Sequence, residues 1–196
     1  MEIRKGPLGI RILCLNLEEL GAIDLDRTRN LGGFIFIDLH GRIHFELNNI
    51  RLVPGNPLEL LFLPDRYYKK LGRLYAGCSV WKPANLLLGG IRFFYFARER
   101  EIRPAGTALI PRDQVPDSSE VARKSAFRDL FGALEQLAKK LQACRGIVSA
   151  DRVPPEKMIQ MGWEVYKPAG LGELLRLRFF YLPGWAKTFY IRHFAP

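Results

Sequence analysis

The sequence predicts an α/β (α+β) fold, with a mixed central sheet, an antiparallel N-terminal meander and two main helices. Three observations predict it. Between Gly33 and Arg66 apolar residues alternate around turn signals, as in antiparallel strands. From Gly106 to Gly170 a strand, a long amphipathic helix, a short strand and a second helix follow one another. The chain has 196 residues, is 48% hydrophobic and holds 13 Phe, enough for a substantial core. A single domain over 1–196 is expected, with a β-rich half over 1–104 and a strand–helix–strand–helix–hairpin half over 105–196.

The opening MEIRKGPLG carries charge but no apolar run of signal-peptide length, and Ile10 to Leu17 alternates as an opening strand would. LEELGAIDLDRTRN is polar and turn-rich and reads as a connection. In GGFIFIDLHGRIHFELNNIRLVPG, apolar alternation flanks turns at His40-Gly41 and at Asn48-Asn49, and LELLFLP supplies a further strand. Leu86 to Ala97 reads as one or two buried strands, with Gly89-Gly90 allowing a bulge or a close backbone approach. Arg98 to Pro104 reads as a charged turn.

In the second half the strand TALIP leads to a helix expected over 118–143. Asp117 is placed to cap it, with Glu120 three residues on reaching back. Phe127, Leu130, Phe131, Leu134, Leu137, Ala138 and Leu141 fall on one face of that helix. Gly146 marks the passage to the strand GIVSA, and a second helix starts at Pro155 and stops at Gly162. The strands at 106–111 and 146–150 are expected to be parallel neighbours with a right-handed crossover between them. LLRLRFFYLPGWAKTFYIRHF reads as two strands about Pro183-Gly184, with Leu175, Leu177, Phe179 and Tyr181 on one face, a face that could line an acyl tunnel.

Thirty Lys and Arg against twenty Asp and Glu leave a formal charge of +10, which favours polyanionic partners. Cys14, Cys78 and Cys144 are far apart and odd in number, so neither a disulfide framework nor a zinc site is indicated, and a cytoplasmic location without a membrane span is expected. No phosphate-cradling GxxxxGK[ST] loop, HExxH pair or nucleophile elbow is present, and His40, His44 and His193 are dispersed. No metal ligand is assigned.

Glu120-Val121-Ala122-Arg123-Lys124, then LFGALEQLAKKL, GIVSA, PPEKMIQMGW and Pro168-Ala169-Gly170, give the order of segments in which the chain resembles the acyl-homoserine-lactone synthase branch of the N-acetyltransferase-like superfamily. Gly89-Gly90-Ile91-Arg92 stands in the place of that family's Gly-x-Arg strand. Ala122 stands where the family has a serine and Lys124 where it has an aromatic residue, and no glycine lies between Gly106 and Gly132. The resemblance implies an acyl-CoA N-acyltransferase-like fold and transfer of an acyl group to an amine. An acyl-CoA or acyl-carrier-protein thioester would be the co-substrate, with no permanently bound cofactor. Glu120 is the candidate base, while Arg112 and Arg123 are the candidates for holding the thioester carrier or another anionic group.

A rival reading rests on Asp65-Arg66-Tyr67-Tyr68-Lys69-Lys70 and Arg73, where basic and aromatic residues interleave as in single-strand nucleic-acid binding. Phe45-Glu46-Leu47-Asn48-Asn49-Ile50-Arg51-Leu52-Val53, Gly55 and Leu63-Pro64-Asp65-Arg66 weakly resemble the septation-regulator family of sporulation stage V, small basic proteins that bind DNA or RNA. On this reading Arg66, Lys69, Lys70 and Arg73 meet the phosphates and no active site exists.

Overall fold

A computed structural model describes residues 2–5, 11–49, 87–109, 119–150, 153–181 and 188–194. Nine strands form one mixed sheet with the order β1-β2-β4-β3-β5-β6-β7-β9-β8, and four helices accompany it among these residues. The strands are β1 (Glu2–Lys5), β2 (Arg11–Asn16), β3 (Leu31–Asp38), β4 (Ile43–Asn49), β5 (Leu87–Phe96), β6 (Glu101–Leu109), β7 (Arg145–Ser149), β8 (Glu164–Tyr166) and β9 (Phe189–His193). The helices are α1 (Leu17–Ala22), α2 (Glu120–Lys140), α3 (Pro155–Gln160) and α4 (Leu171–Phe180). The sheet runs through both halves of the chain.

The β3–β4 hairpin turns at His40-Gly41 as its alternation predicts, with Gly41 at φ +79°. Asn48 and Asn49 are strand residues paired with Gly32 and Leu31, not a turn. Alternation sends Ile35, Ile37, Phe45 and Leu47 to one side of the sheet, where they join Ile91, Phe93, Tyr95, Ile102 and Val148 in the main core. The apolar face of α2 closes that core through Leu130, Phe131, Leu134, Leu137 and Ala138.

Two glycines are set by close approach. A Cβ on Gly33 would lie 1.9 Å from the Glu46 carbonyl oxygen, and one on Gly90 would lie 2.8 Å from Phe36 Cδ1. Gly33→Ala is therefore expected to force β3 and β4 apart and to cost about 1–3 kcal/mol, measurable as a lower denaturant midpoint at unchanged slope.

Several expectations are corrected. LEELGA is a helix, because Asn16 and Glu19 form a capping box: Glu19 N donates to Asn16 Oδ1 at 2.8 Å and Asn16 N donates to Glu19 Oε2 at 2.9 Å. The turn before β6 is confined to 97–100, and Glu101 to Pro104 already belong to the strand. α2 starts at Glu120 with Ser119 as N-cap, so Glu120 opens the first turn instead of closing a capping box. Its end is turned by Gln142 at φ +53°, held where Arg100 donates twice to the Gln142 carbonyl, rather than by Gly146. Leu171–Phe180 is a helix, not the first strand of a hairpin. Asp117, Arg112, the LELLFLP strand and the turn at Pro183-Gly184 lie outside the described residues.

Candidate functional site

β6 and β7 pair in parallel, the orientation expected for the strands at 106–111 and 146–150, but the pairs are Glu101↔Arg145 and Ile102↔Gly146, so on β6 the ladder lies before the expected segment, in residues read from sequence as a turn. Residues 103–109 of β6 and 147–149 of β7 continue beyond this short ladder. Against β5, Arg92 faces Gly106 and Phe93 faces Pro104, so Ala105 is an extra residue that bulges the strand just past its paired segment. Arg92 Nη2 donates to the Ala105 carbonyl at 3.0 Å, and Gly106 adopts φ +154°, which costs glycine little. A bulge bends its strand and increases the local twist, so it works against continued β6–β7 pairing.

The N-terminus of α2 stands at the end of the sheet towards which both strands run. Tyr95, opposite Ile102 near the start of β6, donates its hydroxyl to the carbonyl of Leu141 just past the helix. At the other end, a Cβ on Gly41 in the β3–β4 turn would lie 3.3 Å from Ala122 Cβ. Glu120 and Arg123 thus lie in the first turn of α2 beside the β3–β4 turn, at the same end of the sheet to which β6 and β7 run. Glu120 pairs with Lys124 at 3.2 Å, its side chain 43% exposed, and Arg123 is half-buried. Ser119 is buried and makes no side-chain cap. First-turn amides and the positive end of a 21-residue helix favour an anionic group there.

The same sheet end carries a polar turn. The Asp38 carboxylate, 5% exposed, accepts from the backbone N–H of His40 and of Arg42, from Arg42 Nε (each 2.9 Å), and from His44 Nε2 at 3.1 Å. Burial alone would raise its pKa, but these donors outweigh burial and leave it below the ordinary carboxylate value. A depressed folded pKa contributes stability that is present above the unfolded value of about 3.9 and lost as pH falls through the folded value. Asp38→Asn is expected to cost about 2 kcal/mol at neutral pH, and its deficit against the parent should shrink in denaturant titrations below about pH 4. Glu173 is depressed in the same sense, since the Ala169 N–H and Tyr166 hydroxyl outweigh its burial, so the variant keeps part of the acid limb.

On the sheet face opposite α2, charge is buried beside the short ladder. Glu101 is fully buried and accepts from Arg103 Nε and, at 2.7 Å, from Arg145 Nε. The Arg103 guanidinium lies 4.7 Å from the Phe96 ring centroid and 5.1 Å from that of Phe180. Burial would weaken the Arg145 charge, yet the Glu101 carboxylate more than compensates and raises its pKa. Tyr181 follows α4 and donates its hydroxyl to the Ile147 carbonyl, one residue past the ladder. Burial pushes its pKa far up, so it remains a donor.

Of the residues singled out from sequence, Glu120 and Arg123 are brought to one helix turn, whereas Arg112, Arg66, Lys69, Lys70 and Arg73 lie outside the described residues. Sequence reading missed Glu101, Arg103, Arg145 and Phe180, whereas Arg92 stood in the Gly-x-Arg-like strand and Tyr181 was expected on a strand face with Leu175, Leu177 and Phe179, which the helix replaces. The alternation of Glu101 and Arg103 about Ile102 was the available signal for a strand with two charged residues on one face. Among the described residues no cluster of His, Cys, Asp or Glu could hold a metal ion, and no helix is long and apolar enough to cross a membrane. No family model, curated protein or solved structure matches the chain.

Proposed function

We propose that the protein transfers an acyl group from a thioester carrier to an amine, on an acyl-CoA N-acyltransferase-like fold. The observation that supports this reading most is the short parallel ladder between β6 and β7, with a bulge at its end and the N-terminus of α2 at the same end of the sheet. Backbone N–H groups along such an edge can hold a thioester oxygen as negative charge develops on it, and the helix N-terminus can hold an anionic part of the carrier. The amine nitrogen attacks the thioester carbon, a C–N bond forms, the C–S bond breaks, and the thiolate leaves and takes a proton. The amine proton passes to a base, assigned to Glu120, with Arg123 orienting it or, like Arg112, meeting anionic groups of the carrier.

The test offers purified protein a panel of acyl-CoA and acyl-carrier thioesters with candidate amines and follows thiol release. Release that requires both substrates is expected. The formal charge of +10 supports the second reading, a basic module that binds DNA or RNA through Arg66, Lys69, Lys70 and Arg73. No thiol release across the panel, together with polynucleotide binding that weakens steeply with salt, would favour that reading.

A further inference from the structure

Where the β6–β7 ladder ends, two consecutive residues cover one face of the continuing strands. Phe180 ends α4 and meets Phe94 and Phe96 of β5 edge-on at 5.6 and 5.8 Å, in a cluster that takes in Ala105 of the bulge. Tyr181 lies 4.9 Å from Phe180 and 5.9 Å from Phe189 of β9, in the cluster that holds Ile147 of β7. One ring therefore packs against the β5–β6 side and the next against the β7–β9 side. Arg103, held between Phe96 and Phe180, fills the angle where the ladder ends. On the opposite face Ile102 and Val148 are buried with Leu130 and Leu134 in the main core.

We infer that the Phe180–Tyr181 step is a stop that limits the transferred group to short acyl chains such as acetyl or propionyl. This rests on the acyl-transfer reading and names the substrate class of that site. A long chain entering between β6 and β7 would have to continue through one face of the sheet. On the α4 side it meets aromatic rings in mutual contact and a buried guanidinium, and on the α2 side it meets a closed apolar core. Ring shape sets the limit, because the Tyr181 hydroxyl is already engaged with Ile147.

The experiment compares acetyl-, propionyl-, octanoyl- and decanoyl-CoA as donors for the full chain and three variants, Phe180→Ala, Phe180→Leu and Tyr181→Phe. The parent should prefer acetyl to octanoyl by at least about 10-fold, and Phe180→Ala should erase most of that preference, Phe180→Leu less. Tyr181→Phe keeps the ring and should keep the preference. A parent that uses octanoyl as well as acetyl overturns the stop and leaves acyl transfer standing, whereas a parent that consumes no thioester overturns both the reading and the substrate class. Benzene binding followed by NMR tests this cover without turnover. The parent should take none, and Phe180→Ala should take it in the apolar space left behind, shifting the amides of Ala105 and Ile147. Binding to the parent at those amides, or none to a folded Phe180→Ala, also overturns the stop.

Discussion

Glu101→Gln is expected to cost about 3–5 kcal/mol, the largest loss from any single substitution proposed for this fold. Glu101 is fully buried on β6, and its two oxygens accept from two arginines, Arg103 two residues along and Arg145 across the parallel ladder. Arg103 is itself 2% exposed and stacks between two phenylalanine rings. Glutamine keeps the volume but removes the charge, so one buried guanidinium and one partly buried one lose their counter-ion while desolvated. The cost is that of leaving charge uncompensated, which exceeds the net worth of the pairs. Denaturant unfolding of the parent, Glu101→Gln, Arg103→Met and the double variant Glu101→Leu/Arg103→Met separates these contributions. The double variant should recover the part of the loss that comes from Arg103, because an apolar pair of similar volume needs no compensation, and retain the part that comes from the partly exposed Arg145. A Glu101→Gln protein within about 1 kcal/mol of the parent would show that the triad is solvated, contrary to its burial.

That triad also shows where the sequence is legible. α2 could be read because its apolar residues recur every three or four positions and because all of that face is spent on one core. The β3–β4 hairpin could be read because alternation and a glycine turn agree. Leu171–Phe180 could not, since Leu-Arg-Leu-Arg alternates with the period of a strand. Contacts distant from that pattern decide for helix. Glu173 in its first turn accepts from the Ala169 N–H at 2.8 Å and from the Tyr166 hydroxyl at 2.7 Å, fixing the entry from β8. Leu174, Leu177 and Tyr181 then share the face that packs on Ile147 and Phe189, a spacing of three and four residues hidden within the alternation. The charged residues of the site were obscured for a related reason. Glu101 and Arg103 resemble an exposed turn until Arg145, 44 residues on, is brought across from them. The capping pair Asn16 and Glu19 was visible at its usual spacing, and the polar composition around it masked a six-residue helix.

Glu120→Gln is expected to slow the chemical step by about 10²–10⁴-fold while leaving folding nearly unchanged. The substitution keeps the shape of the side chain at the first position of α2 and removes its ability to take a proton from the attacking amine. The ion pair it weakens is an exposed one. The pair with Lys124 spans one helical turn at 3.2 Å between side chains that are 43% and 69% exposed, and such pairs contribute about 0.3–0.5 kcal/mol. Stability and rate are therefore separable at this position, which is not so at Glu101. The measurement is thiol release from acyl thioesters in the presence of an amine, with unfolding curves of both proteins as the control for folded fraction. A loss in kcat with KM little changed fits proton transfer in the transition state, whereas a rise in KM alone would assign Glu120 to holding the amine. Equal thiol release by the two folded proteins would remove Glu120 from the mechanism and leave proton removal to another group at the same end of the sheet, where His44, bound by the buried Asp38, would be the next residue to replace.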